Sequence, residues 1–136
     1  MTLVLVMMVM VGVVWGDCPS SCGLNGHCSG DTCICNLNYE GTDCSVYNEA
    51  LVSEVPANNS VLTSEWKYYH FIATKSGFSL QWWLNRTGTG DCDLYVQKGS
   101  FPARDNFIAR NISTVPNITL TLTDQTAGTF YAGVYG

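Results

Sequence analysis

Cysteine is the residue type best able to do chemistry in this chain, and six of its seven cysteines lie between Cys18 and Cys44. Their spacing is C-x3-C-x5-C-x4-C-x-C-x8-C, with glycine and polar residues in most of the gaps. Domains below about 40 residues usually need disulfides or metals, because they cannot bury enough apolar surface. Spacing alone leaves several disulfide pairings open. The thiolates of C-x4-C-x-C could instead bind zinc, although an export signal upstream favours disulfides.

The seventh cysteine, Cys92, lies between two carboxylates, Asp91 and Asp93. Residues i and i+2 of a strand share a face, so these carboxylates could chelate a hard cation such as calcium. Alternatively, Asp91 stabilises a turn and Asp93 is solvated. Both charges disfavour the thiolate and make Cys92 a poor nucleophile. Three states of Cys92 stay open: a bridge to a cysteine encoded after Gly136, a bridge to a second chain, or a buried free thiol.

Catalysis and nucleic-acid binding find little support in the sequence. The two histidines, His27 and His70, lie in no H-E-x-x-H or G-x-S-x-G motif, and nucleophilic hydrolysis needs a base oriented beside its nucleophile. The net charge is −5 with only six Lys and Arg residues, whereas phosphate binding needs clustered basic residues. We therefore predict a protein that is not an enzyme and does not bind nucleic acid.

The first sixteen residues have the pattern of a secretory signal peptide. Leu3 to Trp15 is apolar apart from Gly12, and this run is shorter than the roughly 20 residues that span a bilayer. We predict cleavage after Gly16 and no stable membrane span; an uncleaved anchor is the alternative. The chain stops at Gly136 inside a predicted strand, which predicts an incomplete gene product.

Four N-x-[ST] sequons follow the cysteine-rich segment, mostly at turns of the predicted strands. This number in so short a stretch predicts a eukaryotic glycoprotein. The candidate acceptors are Asn58, Asn85, Asn111 and Asn117.

Short runs of aromatic and β-branched residues, separated by turn residues, predict an all-β domain after residue 64. Nothing there has the 3.6-residue period of an amphipathic helix. The simplest arrangement is an antiparallel sandwich or jelly roll. The predicted strands are Glu65–Thr74, Phe78–Asn85, Asp93–Gln97, Asn117–Thr123 and Thr129–Tyr135.

Alternation assigns a core face to one of these strands and leaves another ambiguous. Phe78, Leu80, Trp82 and Leu84 share one face, which we predict to be buried. Trp83 then lies on the polar face. We favour its packing against a loop or the cysteine-rich module, and a platform for a carbohydrate or peptide ligand is the alternative. Residues 66–73 carry aromatic side chains on both faces, so periodicity does not tell which face is buried.

The segment CPSSCGLNGHCSGDTCICNLNYEGTDC resembles an EGF-like module of the tenascin type. The resemblance rests on Gly26 before the third cysteine, the C-x-C pair, and Tyr39 and Gly41 before the sixth cysteine. It implies a module over residues 17–45 without the calcium-binding signature of some EGF modules. It also implies three bridges, Cys18–Cys28, Cys22–Cys33 and Cys35–Cys44.

The segment from Val55 to Gly136 resembles the bacterial pre-peptidase C-terminal (PPC) domain. The resemblance rests on D-x-D-L-Y-V at residues 91–96 and on G-T-F-Y-A-G-V-Y-G at residues 128–136. It implies a β-sandwich over residues 65–136, with residues 46–64 as a connection and first edge. Family members usually continue further, so we expect an unpaired edge here.

Together these features predict a secreted or cell-surface glycoprotein fragment that acts as a non-catalytic binding or adhesion module. The expected partner is an extracellular protein or glycan. No cofactor is predicted with certainty, and calcium is possible at Asp91 and Asp93. Two alternatives stay open: an accessory domain of a larger secreted hydrolase, and an EGF-receptor-type ligand.

Overall fold

The structure, a computed structural model, describes Cys18 and residues 21–136, and this part of the chain contains ten strands and no helix. No membrane-spanning helix is found within it. The predicted signal peptide and its cleavage site lie outside the described residues. The strands are β1 (Gly26–Ser29), β2 (Thr32–Cys35), β3 (Tyr39–Glu40), β4 (Val46–Ala50), β5 (Trp66–Ala73), β6 (Phe78–Asn85), β7 (Asp93–Lys98), β8 (Ala109–Asn111), β9 (Asn117–Gln125) and β10 (Gly128–Tyr135).

The cysteine-rich segment forms two consecutive hairpins. The first pairs β1 with β2 in antiparallel register, and the second pairs β3 with β4. The first hairpin packs closely against Cys44, the sixth cysteine. A Cβ added to Gly26 would lie 2.5 Å from the Sγ of Cys44 and 2.8 Å from the carbonyl oxygen of Ile34. Only glycine leaves room at this position.

The larger sheet has six strands in the order β3-β4-β5-β10-β7-β8. Its pairs are antiparallel except β4 with β5, which is parallel and places Asn48 beside Tyr68. The final strand β10 lies between β5 and β7, with partners along both sides. The unpaired edge expected from a missing continuation is therefore not at β10 itself.

A two-stranded sheet, β6 with β9, packs against the larger sheet and encloses the main core. The predicted alternation of β6 is confirmed, because Trp82 is 7 % exposed and its face packs into the core. From the larger sheet the core receives β7 and β10 side chains, including the fully buried Val96 and Phe130. The sheets are not closed into a barrel, and the fold class is an EGF-like module followed by an all-β domain.

Strand β5 presents aromatic side chains to both sides of the sheet. Tyr69 and Phe71 pack against the core, which answers the question that periodicity left open. The opposite face is covered by the loop between β7 and β8. The ring of Phe101 in this loop lies 4.5 Å from the ring of Tyr68 and 5.0 Å from that of Tyr131, between centroids.

The same loop is fixed by the close contact of Pro102 with Gly133. A Cβ at Gly133 would lie 2.9 Å from the Cγ of Pro102 and 2.8 Å from the Cζ3 of Trp66. Pro102 is itself fully buried. Glycine in the middle of β10 therefore lets the loop and the Trp66 ring reach the sheet, and the loop partly covers the aromatic face.

Candidate functional site

Three disulfides hold the EGF segment, and they are the pairs that the EGF resemblance implies. Their Cα–Cα distances are 5.9 Å for Cys18–Cys28, 5.5 Å for Cys22–Cys33 and 5.2 Å for Cys35–Cys44. Among the described residues, the only cluster with metal-ligand spacing is the sulfur group of Cys18, Cys22 and Cys33, within 4.8 Å of one another. All three are bridged, so no thiolate remains there for zinc.

Two leucines at one end of the first hairpin are almost completely exposed. Leu24 is 98 % exposed and Leu37 is 88 % exposed. The register pairs Gly26 with Cys35, and the backbone N–H of Asn36 donates a 2.7 Å hydrogen bond to the carbonyl oxygen of Asn25. Leu24 precedes and Leu37 follows these paired residues, so both leucines lie in turns that flank the open end of the hairpin. Sequence analysis missed these leucines; the available signal was a leucine just before the first strand and another just after the second strand of a cysteine-stabilised hairpin.

Trp83 lies on the outer face of the two-stranded sheet and is 76 % exposed. Packing against a loop or the EGF module, the interpretation that sequence analysis favoured, is therefore wrong. Its cross-strand partner is Thr119, and Gln81 pairs with Thr121 next to it. These side chains are too short or too polar to cover an indole, so the ring has no apolar neighbour on its own sheet.

The guanidinium of Arg86, which sequence analysis did not include, contacts the segment around Cys92. The Nη1 of Arg86 donates a hydrogen bond to the carboxylate of Asp91, and its Nη2 donates to the carbonyl oxygen of Val115. Asp93 begins β7 opposite Tyr135. Calcium at Asp91 and Asp93 stays a prediction, and such an ion would compete with Arg86 for Asp91.

Cys92 is half-buried and has no disulfide partner among the described residues. Burial is the first cause that raises the pKa of its thiol, and the charges of Asp91 and Asp93 raise it further. The Arg86 guanidinium opposes them. The thiol is disfavoured as a nucleophile, as expected, although burial contributes more than the neighbouring aspartates on which the sequence argument rested.

The two histidines lie in different environments. His27 is exposed in β1 opposite Ile34. His70 lies in β5, and its Nδ1 is 2.9 Å from the Oδ1 of Asn48. The amide of Asn48 in turn donates to the Oε1 of Glu40 at 2.7 Å, so the Nδ1 of His70 carries the hydrogen. This chain of bonds joins the second EGF hairpin to the larger sheet.

A tyrosine cluster lies on the other side of the same junction. The ring of Tyr47 packs edge-on against Tyr39 at 5.3 Å and against Tyr69 at 6.0 Å, and its hydroxyl donates to Glu49 at 2.5 Å. Burial, followed by the bond and charge of Glu49, raises the pKa of Tyr47 to about 12. Burial, followed by the charges of Tyr47 and Glu49, raises that of Tyr69 to about 12.

The four sequons differ in how their acceptor asparagines are presented. Asn58, Asn85 and Asn117 are exposed, whereas Asn111 is half-buried and its amide donates to the carbonyl oxygen of Thr119. Asn85 and Asn117 are direct partners across β6 and β9. Two of the predicted acceptors are therefore neighbours on the face that carries Trp83.

Comparison with known families bears on the cysteine-rich part of the chain. Residues 18–47 match the family described as Teneurin-like EGF domain. The chain therefore carries an EGF-like module, and three bridges in such a module indicate an oxidising, extracellular setting. No curated protein and no solved structure matches the chain. Because the match ends at Tyr47, the PPC resemblance of the following segment stays a prediction.

Proposed function

We propose that this chain is a secreted, N-glycosylated, non-catalytic recognition unit that binds an extracellular protein through Leu24 and Leu37. The observation that carries this proposal is the exposure of both leucines at one end of a disulfide-fixed hairpin. The Teneurin-like EGF match supports an adhesion-type module. The engagement of His70 by Asn48 supports a structural histidine, in line with a unit that does not catalyse a reaction.

Burial of these leucines against a partner would supply the binding energy. A Leu side chain moved from water into an apolar interface contributes roughly 1.5–3 kcal/mol. The hairpin needs little ordering on binding, because the bridges Cys18–Cys28 and Cys22–Cys33 already restrict its backbone. An apolar pocket on a protein fits two leucines better than a glycan does, since glycans present mainly hydroxyl groups.

For residues 65–136 we propose the PPC-type sandwich, with a supporting role. Two features favour it: the sheets enclose one core, and the segment that carries the closing motif of the resemblance forms β10, an inner strand of the larger sheet between β5 and β7. The aromatic face of β5 and β10 is occupied by Phe101 and Pro102. This aromatic face therefore contributes to the stability of the sheet. We assign partner recognition to the EGF hairpin instead.

The proposal predicts that removing both leucines weakens binding. The full chain, produced by secretion from eukaryotic cells and fluorescently labelled, should bind to a panel of cell lines in flow cytometry. The Leu24→Ser, Leu37→Ser double variant should bind at least about tenfold more weakly, because each leucine contributes more than 1 kcal/mol if it is an interface centre.

Val52→Ser is the matched control, because Val52 is 66 % exposed and lies outside the EGF hairpin. This variant should bind as wild type does. Equal losses for the control and the double variant, or unchanged binding of the double variant to every cell line that binds wild type, would contradict the proposal.

A further inference from the structure

We propose that Trp83 is the stacking platform for the first sugar of an N-linked glycan on Asn85 of the same chain. Trp83 and Asn85 are separated by one residue in β6, and both are exposed on the outer face of the two-stranded sheet. The ligand that covers this indole is therefore an N-acetylglucosamine ring that the chain itself carries.

The strand geometry brings the sugar and the ring together. Residues i and i+2 of a strand project to the same side, about 6.6 Å apart along the strand. A sugar linked to the Nδ2 of Asn85 begins beyond the end of that side chain and can bend back over Trp83. The buried Trp82 and the partly buried Leu84 fix the alternation, so Trp83 and Asn85 cannot exchange faces without unpacking the core.

The chemistry of the two surfaces is complementary. The face of an indole carries partial negative charge, and one face of N-acetylglucosamine presents C–H groups with partial positive charge. The neighbours on the sheet, Gln81, Thr119 and Thr121, leave the indole uncovered from above. Contact with the sugar would remove the indole of Trp83 from water. No other described aromatic or cationic side chain packs against this ring.

Asn117 also lies on this face, but its sequon is less suited to carry the glycan. The threonine of its sequon, Thr119, lies inside β9, and Ile118 between Asn117 and Thr119 is 1 % exposed. By contrast, Thr87 of the Asn85 sequon lies beyond the end of β6 and is exposed. Directly paired strand residues have Cβ atoms only about 5 Å apart, so the Asn85–Asn117 pair has room for one glycan.

The test uses the full chain, secreted from eukaryotic cells that add only high-mannose glycans, and then trimmed enzymatically to the first N-acetylglucosamine. Glycopeptide mass spectrometry should find Asn85 occupied and Asn117 largely unoccupied. In NMR spectra, protons of the sugar on Asn85 should be shifted upfield relative to the same protons in Trp83→Ala, because they lie over the indole ring.

Thermal unfolding measures the contact independently. The trimmed wild type should melt about 4 °C above Asn85→Gln, the shift expected when a small domain gains one aromatic contact. In the Trp83→Ala background the same comparison should show no difference. Asn58→Gln is the control, because it removes a glycan that lies far along the chain from any ring of β6.

Three results would overturn the proposal: no glycan on Asn85, sugar protons with unshifted resonances, or the same melting difference with and without Trp83. Binding of Trp83 to added free oligosaccharide while Asn85 is glycosylated would also overturn it, since the ring would then be open to an external ligand.

Discussion

At the scale of single residues, Gly133 lies at a position in the middle of β10 that has no room for a side chain. Replacing it with alanine places a Cβ within 3 Å of both Trp66 and Pro102. Neither neighbour is the free end of a flexible side chain, so the loop or the ring must move. We expect Gly133→Ala to lower the free energy of unfolding by about 1–3 kcal/mol, the usual cost of overpacking.

Gly88→Ala is the matched control for this measurement. A Cβ at Gly88 meets no atom within 4 Å, and its φ lies outside the left-handed region. Urea unfolding should show this variant to be as stable as wild type or slightly more so, because alanine restricts the unfolded chain. If both variants lose the same stability, the close contact at Gly133 is not the cause.

At the scale of elements, the contact of β4 with β5 should make stability depend on alkaline pH. Tyr47 and Tyr69 have pKa values of about 12, above the ordinary 10.0. The folded state therefore favours the neutral phenols. The contribution of the two neutral phenols to the free energy of unfolding is complete below pH 10. It falls as pH rises from 10, where the tyrosines of the unfolded chain ionise, and is lost above about 12, where those of the folded chain ionise too.

An ultraviolet absorbance titration of the tyrosines measures this directly. Glu49→Gln should lower the pKa of Tyr47 and, less strongly, that of Tyr69, because only the Tyr47 hydroxyl bonds directly to the charged carboxylate that the substitution neutralises. Burial, the largest cause, stays in place, so neither value should return fully to 10.0. Glu54→Gln, at an exposed loop position, should leave both titrations unchanged, and a titration of Glu49→Gln identical to wild type would contradict this assignment.

The strands that the sequence predicts well are those whose side chains define a core. The predicted strand Phe78–Asn85 coincides with β6, and the predicted Glu65–Thr74 exceeds β5 by one residue at each end. These runs are rich in aromatic and β-branched residues, which favour pleated, half-buried surfaces. The candidate site is harder to predict from the sequence. Whether Leu24, Leu37 and Trp83 are exposed depends on which side chains neighbouring segments place beside them, and sequence periodicity does not give this.

Five strands, β1 to β4 and β8, were not predicted as strands, and β4 lies in the segment 46–64 that was predicted as a connection and first edge. For β4 and β8 the physical reason is identifiable. Strand β4, with the sequence Val-Tyr-Asn-Glu-Ala, is too polar to be distinguished from a connection, and its place is set by β3 and β5 on either side. Strand β8 has three residues and exists through its pairing with β7. The role of Arg86 was also not predicted, because its contact with Asp91 depends on the fold of the turn between them and its contact with Val115 joins segments that are distant in the chain.

At the scale of the whole molecule, Asn48 joins the EGF segment to the all-β segment. Its side chain bonds to Glu40 in β3 and to His70 in β5. Asn48→Ala removes both bonds and leaves the half-buried His70 nitrogen without this partner. We expect the free energy of unfolding to fall by about 1–3 kcal/mol. Loss of hydrogen-exchange protection should be concentrated in β4 and β5.

Asn36→Ala is the control for this experiment, because Asn36 is exposed and contributes its backbone to the first hairpin. Its stability should stay close to that of wild type. If Asn48→Ala instead loses protection evenly across all strands, or loses none, the side-chain bonds of Asn48 do not couple the two segments.

The parallel pairing of β4 with β5 also has a mechanical consequence. Its register sets the beginnings of β4 and β5 side by side, and Tyr135 near the end of β10 pairs with Trp66 at that same end of the sheet. Tension between Val46 and Tyr135 would therefore load the backbone hydrogen bonds one after another, in an unzipping direction. The EGF hairpins would detach from the sheet at low force with their bridges intact, and would rejoin it when the tension fell.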